Sequence, residues 1–444
     1  MKTIFISSFH VLVSRNIIST AVIDLLIERG FSIVVIVPQS KADYFKKKFG
    51  DKVTVEGIPN RLNRLDNLFK DLALAAVRTR ALSIMRRRNM GMERPIFQKV
   101  FFFAPLIRPI ISFLYRQIIP SHSHHQLFEK YRPAALFSTD VFSANDCRLM
   151  IEAKVHKVPF AGMVRSWDNL TTKGGFRIFP DILVTQNDIA KREAVEIHRV
   201  EEDKIVSVGI PHYDKYLSDP VGALDIGVPA GNKFVVYAPL GDRVMKVGDR
   251  VQKHRFDAGM IDLLDRILPS DVYLLVRLPP TDTVTVNRES LSDRVLFQEP
   301  GVRFGAGVKG IRSSEMSPED DRLLLETLRR SSVVINPFSS LCVDAAILDR
   351  PIVVPAFDPY PVPWVESVRR VQEFEHFQEV IRSGGVAVVL NEGELAKALS
   401  RYISDPGNDK EERRRFAESQ VFALDGRSSE RLSAVVANLA TISG

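Results

Sequence analysis

Apolar residues recur along the chain in short runs that alternate with helical patterns. The first run, Thr3–Phe9, is followed by the helical periodicity of Arg15–Arg29, which Gly30 ends. A second apolar run, Ser32–Val37, stops at Pro38. A strand, a helix and another strand in this order predict a βαβ unit, and therefore a parallel sheet covered by helices.

The alternation continues on both sides of a break at 214–232, a stretch with two prolines and three glycines. Before the break, the pattern predicts strands at Lys52–Glu56, Ala134–Ser138, Pro159–Val164, Ile182–Thr185 and Lys204–Val208, and helices at Ser143–His156 and Asp188–His198. After it, the pattern predicts strands at Lys233–Ala238, Val272–Arg277, Arg294–Gln298, Ser332–Asn336 and Pro351–Pro355, and helices at Phe256–Leu268, Pro318–Arg329 and Ser339–Leu348. The sequence therefore predicts two doubly wound α/β domains.

The length of 444 residues supports this division, because a single hydrophobic core stops growing well below that size. The predicted organisation is a Rossmann-like domain over 1–215 that carries a basic helical insertion at 61–132, a linker at 216–232, a second Rossmann-like domain over 233–424 and a C-terminal helix over 425–444.

The cysteines and the apolar segments of the chain indicate in which cellular compartment the protein is expected. Cys147 and Cys342 lie in apolar helical patterns, which indicates free thiols in a reducing environment. The apolar start of the chain is interrupted by Ser7 and His10 and lacks a cleavage pattern, so we expect no signal peptide. The apolar window 100–119 contains two prolines and two arginines, which argues against a lipid-spanning helix. We therefore expect a cytoplasmic protein.

The positive charge is concentrated in the insertion at 61–132. This segment has 14 Lys and Arg against four Asp and Glu, a net charge of +10, whereas the whole chain carries +7. Its arginines are interleaved with Phe, Ile and Leu, which favours peripheral contact with anionic lipid at the inner face of the cell membrane over a nucleic-acid partner. A solvated basic face above a buried apolar face is the alternative.

A polar loop that ends in glycines, 165–175, follows the predicted strand Pro159–Val164. Loops in this position of a doubly wound sheet carry ligand-binding groups. Asp168 is its candidate for acid–base chemistry, while a structural turn capped by Asp168 and Asn169 is the alternative.

A second candidate segment follows the predicted strand Ser332–Asn336. Ser339 and Ser340 open a helix there, and the unpaired N–H groups of a helix start suit an anion such as a diphosphate. Asp344, one turn later, is a candidate partner for a ribose hydroxyl. Simple N-capping by Ser339 is the alternative.

Four sequence segments resemble a known group of enzymes: SWDNLTTKG at 166–174, FPDILVTQN at 179–187, KIVSVGIPHYDKY at 204–216 and DGRSSERL at 425–432, together with the serine segment and Arg350-Pro351. They resemble bacterial surface-polysaccharide glycosyltransferases, which are similar to CDP-glycerol glycerophosphotransferases and UDP-GlcNAc 2-epimerases. The resemblance implies the GT-B architecture, with two Rossmann-like doubly wound α/β domains facing a central cleft.

The resemblance also implies a function. We expect a metal-independent glycosyltransferase that moves a sugar from a UDP- or CMP/CDP-linked donor to a glycan or lipid-linked acceptor in surface polysaccharide synthesis. The first domain would bind the acceptor and supply the base, and the second would bind the nucleotide. A CDP-polyol glycerophosphotransferase and a non-catalytic scaffold are the alternatives. We expect no cofactor besides the nucleotide co-substrate.

The candidate residues follow from these roles. Asp168 is the expected base, with Asp140 and His10 as the other catalytic candidates. The loop residues expected to contact the acceptor are Ser166, Trp167, Asn169, Thr171, Thr172 and Lys173. The residues expected to bind the donor are Arg243, Arg277, Pro337, Ser339, Ser340 and Asp344.

The chain differs in two ways from the enzymes that it resembles, and both differences affect these assignments. Many relatives carry a basic-Pro-His-Pro element, whereas this chain has no histidine at 276–280, so Arg277 and Arg243 become the candidates for neutralising the diphosphate. The chain also lacks an Asp-x-Asp pair for Mg²⁺. The short cluster His122, His124 and His125 has no adjacent cysteine or carboxylate, and we predict no metal site.

Overall fold

The computed structural model describes residues 1–59, 63–89, 104–119, 124–217, 224–242, 256–280, 282–303, 314–364 and 366–442. The chain divides into two compact units. The first comprises Met1–Leu82, Glu93–Leu217 and Val421–Gly444, and the second comprises Ser83–Met92 and Ser218–Gln420. The predicted C-terminal helix over 425–444 is thus part of the first unit.

The first unit is built on a seven-stranded parallel sheet with the order β3-β2-β1-β4-β5-β6-β7. Its strands are β1 (Thr3–Ser7), β2 (Ser32–Pro38), β3 (Thr54–Ile58), β4 (Ala135–Ser138), β5 (Phe160–Met163), β6 (Ile182–Thr185) and β7 (Ile205–Ser207). Most strand residues are buried on both faces, as in sheets covered by helices on each side. This is why the strands appear in the sequence as continuous apolar runs.

Several of the helices that cover this sheet start at polar capping residues, such as Ser143 before α8 and Asn187 before α10. The helices are α1 (Val11–Val13), α2 (Val22–Glu28), α3 (Ala42–Phe49), α4 (Arg64–Ala75), α5 (Arg80–Asn89), which continues past the first unit, α6 (Ala104–Ile118), α7 (His125–Tyr131), α8 (Ala144–Val155), α9 (Asn169–Thr172), α10 (Asp188–Glu196) and α17 (Ser428–Ile442).

The predicted helix Arg15–Arg29 is interrupted in the structure. A π-helical turn at Ser14–Ile18 follows α1, and α2 begins only at Val22. The Thr20 hydroxyl donates to the Ile17 carbonyl at 2.6 Å, so a side chain competes for the backbone acceptor there. Short polar residues at the middle of the predicted helix therefore divide it into two.

Helix α17 packs within the first unit, where two segments of the sequence resemblance meet, 204–216 and 425–432. The Asp214 carboxylate accepts from the backbone N–H groups of Ser428 and Ser429 at 2.9 and 2.7 Å. Gly209 has a φ of +86°, and a Cβ at this position would lie 2.4 Å from the Ser428 hydroxyl oxygen. A larger residue does not fit at 209, which explains the glycine of the first segment.

The second unit is built on a six-stranded parallel sheet with the order β10-β9-β8-β13-β14-β15. Its strands are β8 (Lys233–Tyr237), β9 (Val272–Arg277), β10 (Val295–Gln298), β13 (Val333–Ile335), β14 (Ile352–Pro355) and β15 (Ala387–Val389), with a separate antiparallel pair β11 (Val302–Arg303) and β12 (Ser314–Glu315). Its helices are α11 (Phe256–Ile267), α12 (Pro318–Arg330), α13 (Leu341–Ile347), α14 (Glu375–Arg382), α15 (Glu392–Ser404) and α16 (Lys410–Val421).

The fold-class prediction of two doubly wound α/β units is confirmed. Each predicted strand has a counterpart whose ends agree within about two residues, which is the usual uncertainty of element boundaries. Within the residues that the structure describes, no helix has both the length and the apolar character needed to span a bilayer.

Candidate functional site

Both sheets have the strand order of a Rossmann fold, in which the order reverses at one point. The reversal lies between β1 and β4 in the first unit and between β8 and β13 in the second. Ligands of doubly wound sheets bind beyond the carboxyl ends of the strands at this point, because the loops on either side diverge and leave a crevice. Each unit therefore has one edge at which a ligand is expected.

In the first unit, the loops at the reversal carry two of the predicted catalytic residues. His10 follows β1 and caps α1, and its Nδ1 accepts from the backbone N–H of Leu12 at 3.1 Å. Asp140 follows β4, is 3% exposed and forms an ion pair with Arg165, which follows β5. The structure thus places His10 and Asp140 at the edge where a ligand is expected.

Asp146, a carboxylate that the sequence analysis did not single out, lies buried beside this edge. It is in the first turn of α8, and its Oδ1 accepts from the hydroxyl groups of Ser7 at the end of β1 and Ser138 at the end of β4. Burial, followed by the charge of Asp140, raises the pKa of Asp146 to about 7. Asp146 therefore joins the two strands at the reversal point.

Asp168 is half-buried at the N-cap position of the short helix α9. Its side chain makes no capping bond to a backbone N–H group. Instead, its Oδ2 accepts from the Thr172 hydroxyl at 2.9 Å and its Oδ1 from the Asn169 amide at 2.9 Å. Asp168 therefore lies at a cap position, as the alternative of a structural turn predicts. It does not make the capping hydrogen bond that this alternative also predicts.

Three other residues of the loop that carries Asp168 are deeply buried. Asn169, Thr171 and Thr172 are 1, 0 and 5% exposed, and the two threonine hydroxyls donate to the Asp168 carbonyl. The two threonine side chains thereby hold the loop in place, and contact of the three residues with an acceptor stays a prediction. Ser166, Trp167 and Lys173 retain partial or full exposure.

A glycine allows the loop to approach α4. Gly174 has a φ of +82°, and a Cβ there would lie 2.6 Å from backbone atoms of Ala73 in α4. The next backbone N–H group, that of Gly175, donates to the Ala73 carbonyl at 2.9 Å. The basic insertion, to which α4 belongs, therefore supports the loop that carries Asp168.

Three buried polar atoms beyond β5 and β6 make no hydrogen bond with the part of the chain that the structure describes. They are Nε of Arg165, Oδ1 of Asn169 and Oε1 of Gln186. Since buried polar groups are nearly always paired, each such atom calls for a partner such as water or a ligand. Their clustering on neighbouring strands supports a polar ligand at this edge.

In the second unit, the predicted serine segment lies at the reversal point. Ser339 accepts through Oγ from the Asn336 amide at 2.8 Å and from the backbone N–H of Leu341 at 3.3 Å. Ser340 is exposed and its side chain makes no capping bond. Helix α13 begins at Leu341 instead of Ser339 and spans only seven residues, because Phe338 adopts a φ of +57° and the turn continues through Ser340.

The other predicted donor-binding residues are less accessible. Asp344 is 1% exposed within α13, so in this structure its carboxylate does not reach a ribose at the surface. Arg277 is 6% exposed at the end of β9 and donates to Gln298 Oε1 at 2.8 Å and to the Asp320 carbonyl at 3.1 Å. Pro337 is buried in the turn, and Arg243 lies outside the described residues.

The loop after β8, which neighbours β13, is held by a buried carboxylate. Asp257 accepts from the Tyr237 hydroxyl at 2.6 Å and from the backbone N–H groups of Leu240 and Gly241 at 3.1 and 2.9 Å. Burial raises the pKa of Asp257 despite these bonds. The carboxylate thereby keeps the loop that precedes Arg243 in a defined position.

A cavity of about 310 Å³ lies in the second unit beside the loops that follow β14 and β15. Phe357 and Asp358 line it from the first loop, and Arg266 and Arg369 contribute guanidinium groups. Arg266 pairs with Glu392 at 3.0 Å, and Arg369 is exposed. Neither arginine was predicted, since each lies in a region without a recognisable motif.

The chain matches the model of a known protein family. Residues 178–438 match the family model described as CDP-glycerol:poly(glycerophosphate) glycerophosphotransferase. This range covers more than half of the 444 residues and includes all of the second sheet. No curated protein sequence matches the chain.

Solved structures share the fold over nearly the whole chain. A putative UDP-N-acetylglucosamine 2-epimerase from Listeria monocytogenes is 12% identical, with a TM-score of 0.57 over 98% of this chain and 96% of that one. The UDP-GlcNAc 2-epimerase from Neisseria meningitidis, solved with UDP-GlcNAc bound, is 10% identical, with a TM-score of 0.55 over 99% and 100%. The calicheamicin glycosyltransferase CalG4 is 11% identical, with a TM-score of 0.53 over 99% and 98%. At these identities the similarity shows the GT-B-type fold alone.

Proposed function

Because the chain belongs to the CDP-glycerol:poly(glycerophosphate) glycerophosphotransferase family, we propose that it transfers glycerol phosphate or a related polyol phosphate from a CDP-linked donor to a hydroxyl group of a glycan or lipid-linked acceptor in bacterial surface polysaccharide synthesis. The family match is the observation that supports this choice. The family makes the chain a transferase, and the identity of donor, acceptor and pathway is our proposal.

In the proposed reaction, the acceptor oxygen attacks the phosphorus that bears the polyol. The bond between this phosphorus and the oxygen that bridges it to the second phosphorus breaks, and CMP leaves with the bridging oxygen. The hydroxyl proton passes to a base, for which Asp168 is our first candidate. The second unit would bind the nucleotide at the loops after β8, β13 and β14, and the lack of an Asp-x-Asp pair supports a reaction without a fixed metal.

Glycosyl transfer, the function that the sequence resemblance implied, is the second candidate. The loop SWDNLTTKG favours it, since this segment resembles glycosyltransferases of surface polysaccharide synthesis. The acceptor oxygen would then attack the anomeric carbon of the sugar, and the nucleotide would leave as a diphosphate from a UDP- or CDP-linked donor or as CMP from a CMP-linked donor. The two reactions therefore differ in the donor that they consume.

The donor that is consumed, together with the nucleotide that it releases, distinguishes the two proposals. The purified protein is incubated with CDP-glycerol, UDP-sugars or CMP-sugars, each with and without lipid-linked acceptor and with a chelator present. Acceptor-dependent CMP release from CDP-glycerol supports polyol-phosphate transfer. Release of UDP from a UDP-sugar, or of CMP from a CMP-sugar, supports glycosyl transfer. No turnover of any donor by the folded protein would contradict both and favour the non-catalytic scaffold.

The serine segment gives a test of donor binding. Replacing Ser339 and Ser340 with Ala is expected to weaken nucleotide binding by roughly 1–3 kcal/mol, because hydroxyl donors to a charged phosphate are lost. Ser340→Ala alone should account for part of this without a change in Tm, since its side chain makes no capping bond. Ser404→Ala, at an exposed serine of α15, is the control. An unchanged dissociation constant in the folded double variant would place the phosphate elsewhere.

Helix α6 supports the proposed contact with an anionic membrane. Ile111 and Tyr115 are buried on one face of the helix, while Ile110, Phe113 and Leu114 on the other face are 54, 53 and 41% exposed. The spacing of these exposed residues places them on one stripe of the helix. This stripe belongs to the insertion with a net charge of +10, so apolar and basic groups can act together at a lipid surface.

Replacing Ile110, Phe113 and Leu114 with Ser is expected to reduce binding to phosphatidylglycerol vesicles at least tenfold, because each apolar side chain contributes about 1–2 kcal/mol when buried. Vesicle co-sedimentation at low and high salt measures this. The control replaces Val155 and Phe179, which are exposed to a similar extent elsewhere in the first unit, with Ser. Equal binding of wild type to neutral and anionic vesicles would contradict the proposal.

A further inference from the structure

Four side chains from two helices meet near the start of α7. His125 and Glu129 are one turn apart on α7, and Glu152 and His156 are one turn apart at the end of α8. A spacing of four residues places both members of each pair on the same helix face. Ligand atoms of His125, Glu129 and His156 all lie within 4.8 Å of one another.

Three of these side chains form a compact triangle of donor atoms. His125 Nδ1 lies 3.0 Å from His156 Nε2, which lies 3.3 Å from Glu152 Oε1, and Oε1 lies 3.7 Å from His125 Nδ1. Tetrahedral Zn²⁺ with bonds of about 2.0–2.1 Å holds its ligand atoms about 3.3 Å apart. The triangle therefore has the size of one face of a zinc coordination tetrahedron.

The environment of Glu152 also favours a cation. Its side chain is only 1% exposed, and the backbone N–H of His124 donates to Oε2 at 3.2 Å. Oε1, the atom that faces the two imidazoles, makes no hydrogen bond with any described residue. A buried carboxylate is costly without a compensating charge, and a bound divalent ion supplies that charge directly.

The orientation of His156 is supported from two sides. Its ring stacks on Phe128 of α7 with centroids 5.1 Å apart and an interplanar angle of 22°. Its Nδ1 faces Glu129 Oε1 at 3.6 Å, on the side away from the triangle. A carboxylate on the Nδ1 side favours a proton there, so Nε2 presents its lone pair to the triangle, where it forms a hydrogen bond with His125 Nδ1 that a metal ion would replace.

We propose that His125, Glu152 and His156 bind one Zn²⁺ or a similar first-row transition ion, with the fourth position open to water. Imidazole ligands select such ions over Mg²⁺ and Ca²⁺. His156 precedes β5, whereas Arg165 follows it, so the site lies towards the opposite end of β5 from the candidate catalytic residues. The ion joins α7 to α8 and stabilises the end of the basic insertion, and it takes no part in group transfer.

Zinc binding is tested on untagged, full-length protein after treatment with EDTA. We expect one Zn²⁺ per chain by competition with a chromogenic chelator, and a rise in Tm of roughly 3–6 °C at 100 times the dissociation constant. Co²⁺ should give the visible absorption of a tetrahedral complex. Millimolar Mg²⁺ should give no shift in Tm. Absence of stoichiometric Zn²⁺ binding would overturn the proposal.

Three variants locate the site. His125→Gln is expected to weaken Zn²⁺ binding at least about 100-fold. Because the His125 side chain is 47% exposed, the variant should fold normally without the metal. Glu129→Gln should weaken binding about 10-fold, the usual effect of an outer-shell partner. His10→Gln, in the same unit but at the loop after β1, should bind Zn²⁺ as the wild type does. Equal affinity of the His125→Gln and His10→Gln variants would overturn the assignment.

Discussion

Replacing Asp168 with Asn is expected to lower the turnover number by roughly 10²–10⁴, the usual contribution of a positioned general base, with little change in nucleotide affinity. The substitution keeps the size of the side chain and its bond to the Thr172 hydroxyl, but it removes the group that takes the proton. Rate, donor affinity and Tm measured on this one variant check the prediction. We expect only the rate to change strongly.

Two further variants separate chemistry from support of the loop. Thr172→Val removes a donor to Asp168 while it keeps the carboxylate, so a loss of less than tenfold is expected if the carboxylate itself is the base. Asp140→Asn breaks the buried ion pair with Arg165, so it should lower both the rate and Tm. A destabilised Asp168→Asn protein with near-normal turnover would contradict the catalytic role and favour Asp140 or His10.

The fold was predictable because its signals are local. Buried parallel strands give continuous apolar runs, and polar capping residues such as Ser143 and Asn187 mark where helices begin. Since ligands of such sheets bind at the carboxyl ends of strands, the positions of His10, Asp140 and Ser340 follow from the same pattern. Their roles do not follow from it and stay predictions.

The features that sequence reasoning missed depend on contacts between distant residues. Asp146 resembles an ordinary residue of a first helical turn, and only the pairing of β1 with β4 brings the hydroxyl of Ser7 to it. The donor triangle likewise joins His125 to His156, which is 31 residues further along the chain. The Thr171 carbonyl accepts from the hydroxyl of Thr79, which lies 92 residues earlier in the sequence.

Asp146→Asn is expected to change the pH dependence of stability between about pH 4 and pH 7. Burial and the nearby charge of Asp140 raise the pKa of Asp146 from 3.8 to about 7 in the folded protein. Between about pH 4 and pH 7 the folded state therefore holds a proton that the unfolded state has lost. In this window stability falls as pH rises, with a slope of roughly 1 kcal/mol per pH unit from this group.

The sign of the prediction follows from this proton balance. At pH 8 the wild type must keep a buried carboxylate ionised beside Asp140, whereas Asn is neutral at every pH and still accepts a hydrogen bond from Ser7 or Ser138. The variant should therefore gain stability relative to wild type as pH rises from 4 to 8, by a few kcal/mol. Urea unfolding of both proteins between pH 4 and pH 8 measures the difference in their free energies of unfolding. The contributions of titratable groups that both proteins share cancel in this difference. A difference that stays constant with pH would show that Asp146 is already ionised in the folded protein at low pH, stabilised by its serine donors.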